Sequence, residues 1–346
     1  MATTISGHDN GGTIIWQGFD YGWRGEPHRL SRIGSHLDSF ALQADGRTVR
    51  ARYISDFGVG NVNDTGDAIS KVSGLVFQPL SFIHGFQTKK LSAELGKVST
   101  ASDEAVSVQV PGVGDLVATP LLRGFDIAVT NFPSGFQTRG FGVQLIPHSL
   151  SGNAFTFTPS FTIHAERSPD PLTRHPLEGG PSFYEYSMTA YFTVVAGPRR
   201  GLHFTTSPAT SPTAVVAYQG PSQAQQQTRS QIEGPGGRAF SHAVAGVQGF
   251  SWHLDDFEGT HFDGRYLRRI QCFIDEFSYD PASGAASFTA HLSFSNQGTV
   301  VFGYNAVHSL WATLIQFDSP VASTSKTLSN IVHTEQGVEA ITEFTD

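Results

Sequence analysis

The feature that most constrains the fold is the alternation of apolar and polar residues in short runs. Residues 155–158, 161–164 and 287–294 alternate Phe, Ile or Leu with Thr, Ser or His. A period of two in Phe, Thr, Val and Ile is typical of half-buried antiparallel strands. Gly, Pro, Asn, Asp and Ser interrupt these runs about every 8–12 residues, as in sandwiches and barrels. The sequence therefore predicts an all-β fold of antiparallel β-sandwich units.

Helical periodicity is weak along the chain. The best match is residues 27–40, where Leu30, Ile33 and Leu37 recur at helical spacing. Gly34 and Ser39 interrupt the pattern, so we expect at most one short helix there.

Composition excludes several classes of protein. The net charge of −8 argues against a nucleic-acid partner, and the single cysteine, Cys272, excludes an intrachain disulfide or a cysteine-based zinc cluster. Charged residues are only 15%, against about 25% in typical soluble proteins. This deficit favours large buried interfaces.

The sequence predicts neither a secretory signal nor a membrane span. The first twelve residues have no basic and apolar regions of a signal peptide, and no apolar run approaches ~18 residues. We expect synthesis in the cytoplasm, with an extracellular or particle-associated location left open.

Two segments of the chain resemble each other. Each begins with a Gly-Phe strand (Gly124-Phe125 and Gly249-Phe250), continues through a Ser-Gly turn into a Phe/Thr strand, and closes with an apolar strand. We therefore predict an N-terminal β-rich region (1–118), a first sandwich unit (119–204), a second unit (241–320) and a C-terminal tail (321–346). Between the units, residues 205–240 are rich in Pro, Gly and Gln, and form a linker or an arm that docks on a neighbouring subunit.

The second unit carries motifs of a known family. The strand Phe288-Thr289 with His291, the segment Tyr304-Asn305-Ala306 and the strand ending Trp311-Ala312 resemble H-type lectins, the glycan-binding domains of snail agglutinins and discoidins. The resemblance covers residues 249–317 and, more faintly, 124–196. It implies a small antiparallel sandwich that trimerises and binds a sugar. The family's Trp-x-Asp-Thr turn is replaced here by residues 294–298, so no sugar site carries over.

The most polar cluster follows the second Gly-Phe strand, where sandwich binding loops lie. Carboxylates and imidazoles there suit a polar loop, a glycan or Ca²⁺ site, or a catalytic transition metal. We expect that the protein needs no cofactor, with Ca²⁺ as the alternative. The candidate ligand-binding residues are Trp252, His253, Asp255, Asp256, His261, Asp263, Arg265 and Tyr304, and the candidate metal ligands among them are His253, Asp255, His261 and Asp263.

A second cluster combines aromatic residues with arginine near the N-terminus. Such residues are favoured in interface hot spots, in ligand sites and in ordinary packing. The candidate subunit contacts are Trp16, Phe19, Tyr21, Trp23 and Arg24.

No nucleophile elbow, P-loop or zinc-protease motif occurs in the chain. We therefore expect a non-enzymatic, multimeric binding or structural β protein that recognises glycans and self-associates as a trimer or larger assembly. One alternative is a structural component of a larger particle, such as a virion, phage tail or injection apparatus, or an extracellular fibre or shell. A second is a metal-assisted hydrolase.

Overall fold

The computed structural model confirms the all-β prediction. It describes residues 3–24, 30–42, 49–59, 65–94, 97–102, 104–131, 137–166, 183–208, 216–218, 223–232, 240–256, 267–296, 304–318, 325–333 and 338–344. These residues form strands and no helix. The strands are β1 Thr3–Arg24, β2 Leu30–Leu42, β3 Val49–Val59, β4 Thr65–Glu94, β5 Val98–Ser102, β6 Val106–Gln109, β7 Leu116–Val129, β8 Gln137–Ser151, β9 Ala154–Glu166, β10 Phe183–Pro198, β11 Leu202–Pro208, β12 Val216–Tyr218, β13 Gln223–Ile232, β14 His242–Asp256, β15 Leu267–Asp280, β16 Ala285–Asn296, β17 Tyr304–Phe317, β18 Ser325–His333 and β19 Val338–Phe344.

Residues 30–40, which include the best match to helical spacing, belong to β2. Ile33 and Leu37 are buried together with Ser35 between them. A spacing of four is a whole multiple of the strand period, so it fits one face of a strand as well as one face of a helix.

All strand pairs in the described residues are antiparallel, and they form an eleven-stranded and an eight-stranded sheet. Within these sheets, three sets of four strands have one pairing plan. We call them unit I (β1–β4), unit II (β7–β10) and unit III (β14–β17). In each unit the first strand pairs with the fourth, and the second pairs with the third.

The first strand of every unit carries a β-bulge at the same place. The bulged residues are Gln17, Arg123 and Gln248. Each is one extra residue between two successive pairs with the fourth strand. A Gly-Phe pair follows each of them, namely residues 18–19, 124–125 and 249–250. A bulge adds one residue to one strand and bends it. The shared position shows that the three units are copies of one arrangement.

The units are joined in a closed ring by strand pairing. The first strand of unit I pairs with the second strand of unit III, that of unit II with the second strand of unit I, and that of unit III with the second strand of unit II. The registers of these three pairings are equivalent. The phenylalanines that follow the bulges, Phe19, Phe125 and Phe250, pair with Cys272, Ser35 and Val143, respectively. The result is three four-stranded blocks of equal strand order, related by a pseudo-threefold axis: β16-β15-β1-β4, β3-β2-β7-β10 and β9-β8-β14-β17.

The hydrophobic core lies on this axis. The ring centroids of Phe19, Phe125 and Phe250 are separated by 4.8, 5.0 and 5.1 Å, which is close to an equilateral triangle. Two residues before each bulge lies a second equivalent set, formed by Ile15, Leu121 and Gly246. These residues pack closely, since a Cβ on Gly246 would lie 2.7 Å from Ile15. Burial of each phenylalanine contributes about 1.5–3 kcal/mol, so all three units contribute to one core.

Glycine follows the bulge because the neighbouring unit approaches closely there. Gly18 and Gly124 have φ of +121° and +143°, and a Cβ on either would lie 2.1–2.2 Å from a backbone oxygen of the adjoining second strand. Glycine adopts this conformation without steric cost.

The pairing crosses the predicted domain boundaries. The segments 119–204 and 241–320 contain units II and III, but the N-terminal region forms unit I, a third copy that its sequence did not reveal. Parts of segment 205–240 also pair within this chain, since β11 and β12 pair with β17 and β13 pairs with β16. The tail supplies β18 and β19, which pair with β4 and β3.

Candidate functional site

The three first strands end beside the beginnings of the three second strands. The last residues of each first strand pair with the first residues of a second strand from another unit: Gly22 with Arg269, Ala128 with Arg32, and His253 with Gly140. The three first strands therefore end, and the three second strands begin, at the same end of the ring. We call this the connection end.

The described parts of the two sequence clusters lie on equivalent strands. The aromatic cluster runs along β1 in unit I, and the polar cluster begins at the end of β14 in unit III. Both first strands lead to the connection end. This relation could not be predicted from the sequence, because it depends on unit I being a copy of unit III.

Trp252 is a core residue. Its side chain is 2% exposed and its ring lies edge-on to Phe141 at 5.3 Å. Its indole Nε1 is buried without a hydrogen-bond partner among the described residues. The ring therefore presents no face on which a sugar could stack.

The remaining residues of the polar cluster are only partly described. Asp255 and Asp256 are in β14, where they pair with Asn305 and Tyr304 of β17, so the backbones of Asp256 and Tyr304 are adjacent. Their side chains lie outside the described part, as do His261, Asp263 and Arg265 entirely. The metal set of His253, Asp255, His261 and Asp263 thus stays a prediction. Within the described ranges, no group of three or more His, Cys, Asp or Glu could hold a metal ion.

His253 is partly exposed and has a neighbour that the sequence did not predict. Its ring centroid lies 6.4 Å from that of His164 in β9, with the ring planes inclined by 51°. The two residues belong to different units, so no local pattern could have brought them together.

Three of the five predicted subunit contacts are core residues, and the side chains of the other two lie outside the described part. Trp16, Phe19 and Tyr21 are at most 1% exposed, and the Tyr21 hydroxyl donates a hydrogen bond to the Gly34 carbonyl of β2. These three side chains pack within the chain and leave no surface for a partner. Trp23 and Arg24 lie in β1 with side chains outside the described part.

Arg123 is the buried charge that the sequence did not single out. It is 2% exposed and occupies the bulge position at which units I and III have glutamine. The two glutamines donate to Ala245 O and Pro120 O, which are equivalent carbonyls of the next unit. The third copy differs from them because Arg123 donates to Leu37 O and to Ser6 Oγ instead.

The surroundings of Arg123 are aromatic. Its guanidinium lies 5.5 Å from the ring centroid of Tyr191, which stacks on His36 at 3.8 Å. Burial lowers the pKa of Arg123 to about 10, and Asp38 opposes this shift. The arginine still carries its charge at neutral pH, where it joins β2 of unit I to β7 of unit II.

Polar pairs also join the units at the residues that follow Phe19 and Phe125. The Gln271 amide donates to Asp20 at 2.9 Å, and Arg32 forms a bidentate ion pair with Asp126 at 2.9 and 2.8 Å. Bidentate geometry gives such a pair orientation as well as energy. These contacts lie at the joints between units I and III and between units I and II.

Among the described residues, no helix has the length and apolar character that crossing a membrane would require. Comparison with protein-family models, with curated proteins and with solved structures returned no match.

Proposed function

We propose that this chain is a non-enzymatic glycan-binding protein whose ligand site lies at the connection end of the ring. The observation that carries the proposal is the cyclic pairing of the three first strands with second strands of other units. The three first strands end there, and we propose that the segments of different sequence that follow them form the site. Binding residues lie disproportionately on loops positioned in this way.

The chemistry of the unit III connection suits a sugar. Its sequence places Asp263, His261 and Arg265 within five residues and is followed by Tyr266. Carboxylates accept hydrogen bonds from sugar hydroxyls, and arginine donates to ring and hydroxyl oxygens. Because Trp252 is buried, Tyr266 is the aromatic residue we assign to stacking on a sugar face.

The H-type lectin resemblance adds support. It implies units that assemble in threes, and units I, II and III of one chain form a threefold arrangement by themselves. The ring closes without a second copy. We therefore propose that threefold architecture is intrinsic to the single chain and that further self-association is not required for binding.

A glycan array that includes Gal and GalNAc, with and without Ca²⁺, tests the proposal. We expect the intact chain to bind and Asp263→Ala to lose binding. The matched control is Asp318→Ala, since Asp318 is an exposed carboxylate that follows β17 beside the opposite end of β14. Absence of binding to every glycan, or equal loss in both variants, would refute the proposal.

A structural role in a larger particle is the second candidate, and the closed pseudo-threefold ring favours it. Such a ring can cap or adapt a threefold-symmetric partner with one copy of the chain. Light scattering across a concentration series tests this role. Growth into assemblies larger than a monomer supports it, whereas a stable monomer at micromolar concentration argues against self-assembly.

A further inference from the structure

Two histidines of different units lie in one line across three neighbouring strands. β8 runs between β9 and β14. Gly140 of β8 pairs with His164 on one side and with His253 on the other. Residues directly opposite each other on antiparallel strands project from the same face of the sheet. His164 and His253 therefore project from one face, with Gly140 between them.

Glycine at position 140 allows β14 to approach β8 closely. A Cβ at Gly140 would lie 2.5 Å from the Cβ of His253 and 2.2 Å from the Trp252 carbonyl oxygen. No other residue fits there without moving β14. With no side chain between them, the rings approach to 6.4 Å between centroids and are inclined by 51° rather than stacked.

This separation suits two ligands of one metal ion. Metal–nitrogen bonds of about 2.0–2.1 Å place the centroids of two imidazoles that share an ion roughly 5–6 Å apart. The observed separation of 6.4 Å is slightly longer, so metal binding requires the two imidazoles to move closer together. His164 is 8% exposed and held within the sheet, while His253 is more open to solvent.

We propose that His164 and His253 form a binding site for a divalent transition-metal ion such as Zn²⁺ or Ni²⁺ at the joint between units II and III. Imidazole suits these ions, whereas Ca²⁺ takes oxygen ligands. Two protein nitrogens and solvent complete the coordination. The site differs from the one predicted from sequence, because its second histidine comes from β9 and not from residues 255–263.

Metal binding to the full chain tests the site. After treatment with EDTA and dialysis, calorimetric titration with NiCl₂ and with ZnCl₂ should show one ion per chain. His164→Gln and His253→Gln should each weaken binding about tenfold or more, as expected when a chelating ligand is lost. The control is His148→Gln, an exposed histidine elsewhere on β8 that bonds Thr158, and it should bind as the parent chain does.

Two outcomes would overturn the proposal. One is the absence of stoichiometric binding. The other is loss of binding in His253→Gln with full binding in His164→Gln, which would move the site into residues 255–263. If His164→Gln fails to fold, pulsed EPR of Cu²⁺ bound to the parent chain decides instead. Coupling to two imidazoles supports the site, and coupling to one or none contradicts it.

Discussion

The three phenylalanines on the axis allow the ring to be tested by a double-mutant cycle. Each of Phe19, Phe125 and Phe250 contacts the other two at nearly equal distances of 4.8–5.1 Å. Aromatic pairs of this kind contribute about 0.5–1.5 kcal/mol beyond their buried area. Replacement by leucine keeps most of the volume but removes both ring contacts, so each single replacement costs about 1–3 kcal/mol.

We expect each Phe→Leu variant to fold and each pair of replacements to show a coupling energy of about 0.5–1.5 kcal/mol. The coupling should be similar for all three pairs, because the separations are similar. Urea unfolding of the parent, the three single and the three double variants supplies the free energies. The control pair is Phe19→Leu with Phe155→Leu, whose rings make no contact in the described residues.

The reasoning fails if the three pairs couple no more strongly than the control pair. Residues without contact usually couple by less than about 0.5 kcal/mol. Such a result would mean that the first strands of the three units do not meet at a common axis.

Three further predictions concern the same framework. Gly124→Ala should lower the free energy of unfolding by more than about 3 kcal/mol, because its Cβ would collide with Ser35 O. The control Gly152→Ala, at a turn with open space, should lower it by only about 1–2 kcal/mol. Similar urea midpoints for the two variants would contradict this. Burial raises the pKa of Tyr53 and Tyr186 above 10, so their contribution to stability is complete below pH 10 and is lost as the pH rises further. Urea midpoints should therefore fall in alkaline solution. They should fall less in the Tyr53→Phe, Tyr186→Phe double variant, because it lacks both ionising hydroxyls and because the lowered pKa of Arg123 acts with the opposite sign. An unchanged fall would refute this. Burial also raises the pKa of the Cys272 thiol, so native protein should resist a thiol reagent that modifies the unfolded chain at once, and rapid labelling of native protein would place the thiol at the surface.

Local patterns were sufficient for the strands and for two of the three units. Gly124-Phe125 and Gly249-Phe250 are recognisable because similar Ser-Gly turns and Phe/Thr strands follow both. Unit I contains the same bulge and Gly18-Phe19, but its second and third strands lack that Phe/Thr signature. Its membership depends on pairing, which a single-sequence pattern does not report.

The joints between units could not be predicted, because they pair residues far apart in the chain. Phe19 faces Cys272 in the sheet, and no local signal specifies such a partner. For the same reason, the sequence indicated neither the burial of Arg123 nor the approach of His164 to His253. The aromatic residues near the connection end were misleading for the opposite reason. Trp252 and Tyr21 are next to polar residues in sequence, but successive side chains of a strand point to opposite faces, and both residues lie on the face that is buried in the core.

Disulfide trapping at the three joints tests the central claim that the units of one chain close a ring. In a Cys272→Ser background, we pair Asp20→Cys with Gln271→Cys, Gly34→Cys with Asp126→Cys, and Gly142→Cys with Ser251→Cys. These are equivalent cross-strand neighbours, and Cβ positions at Gly34 and Gly142 would lie 3.2 and 2.8 Å from those of their partners. Natural disulfides need about 3.5–4.5 Å between Cβ atoms, so small adjustments allow each bond.

Mass spectrometry of the oxidised, non-reduced protein identifies the bonds. The account predicts an intrachain disulfide at each of the three joints in monomeric protein. Disulfides that form only between chains, or at fewer than three joints in folded variants, would contradict the closed ring.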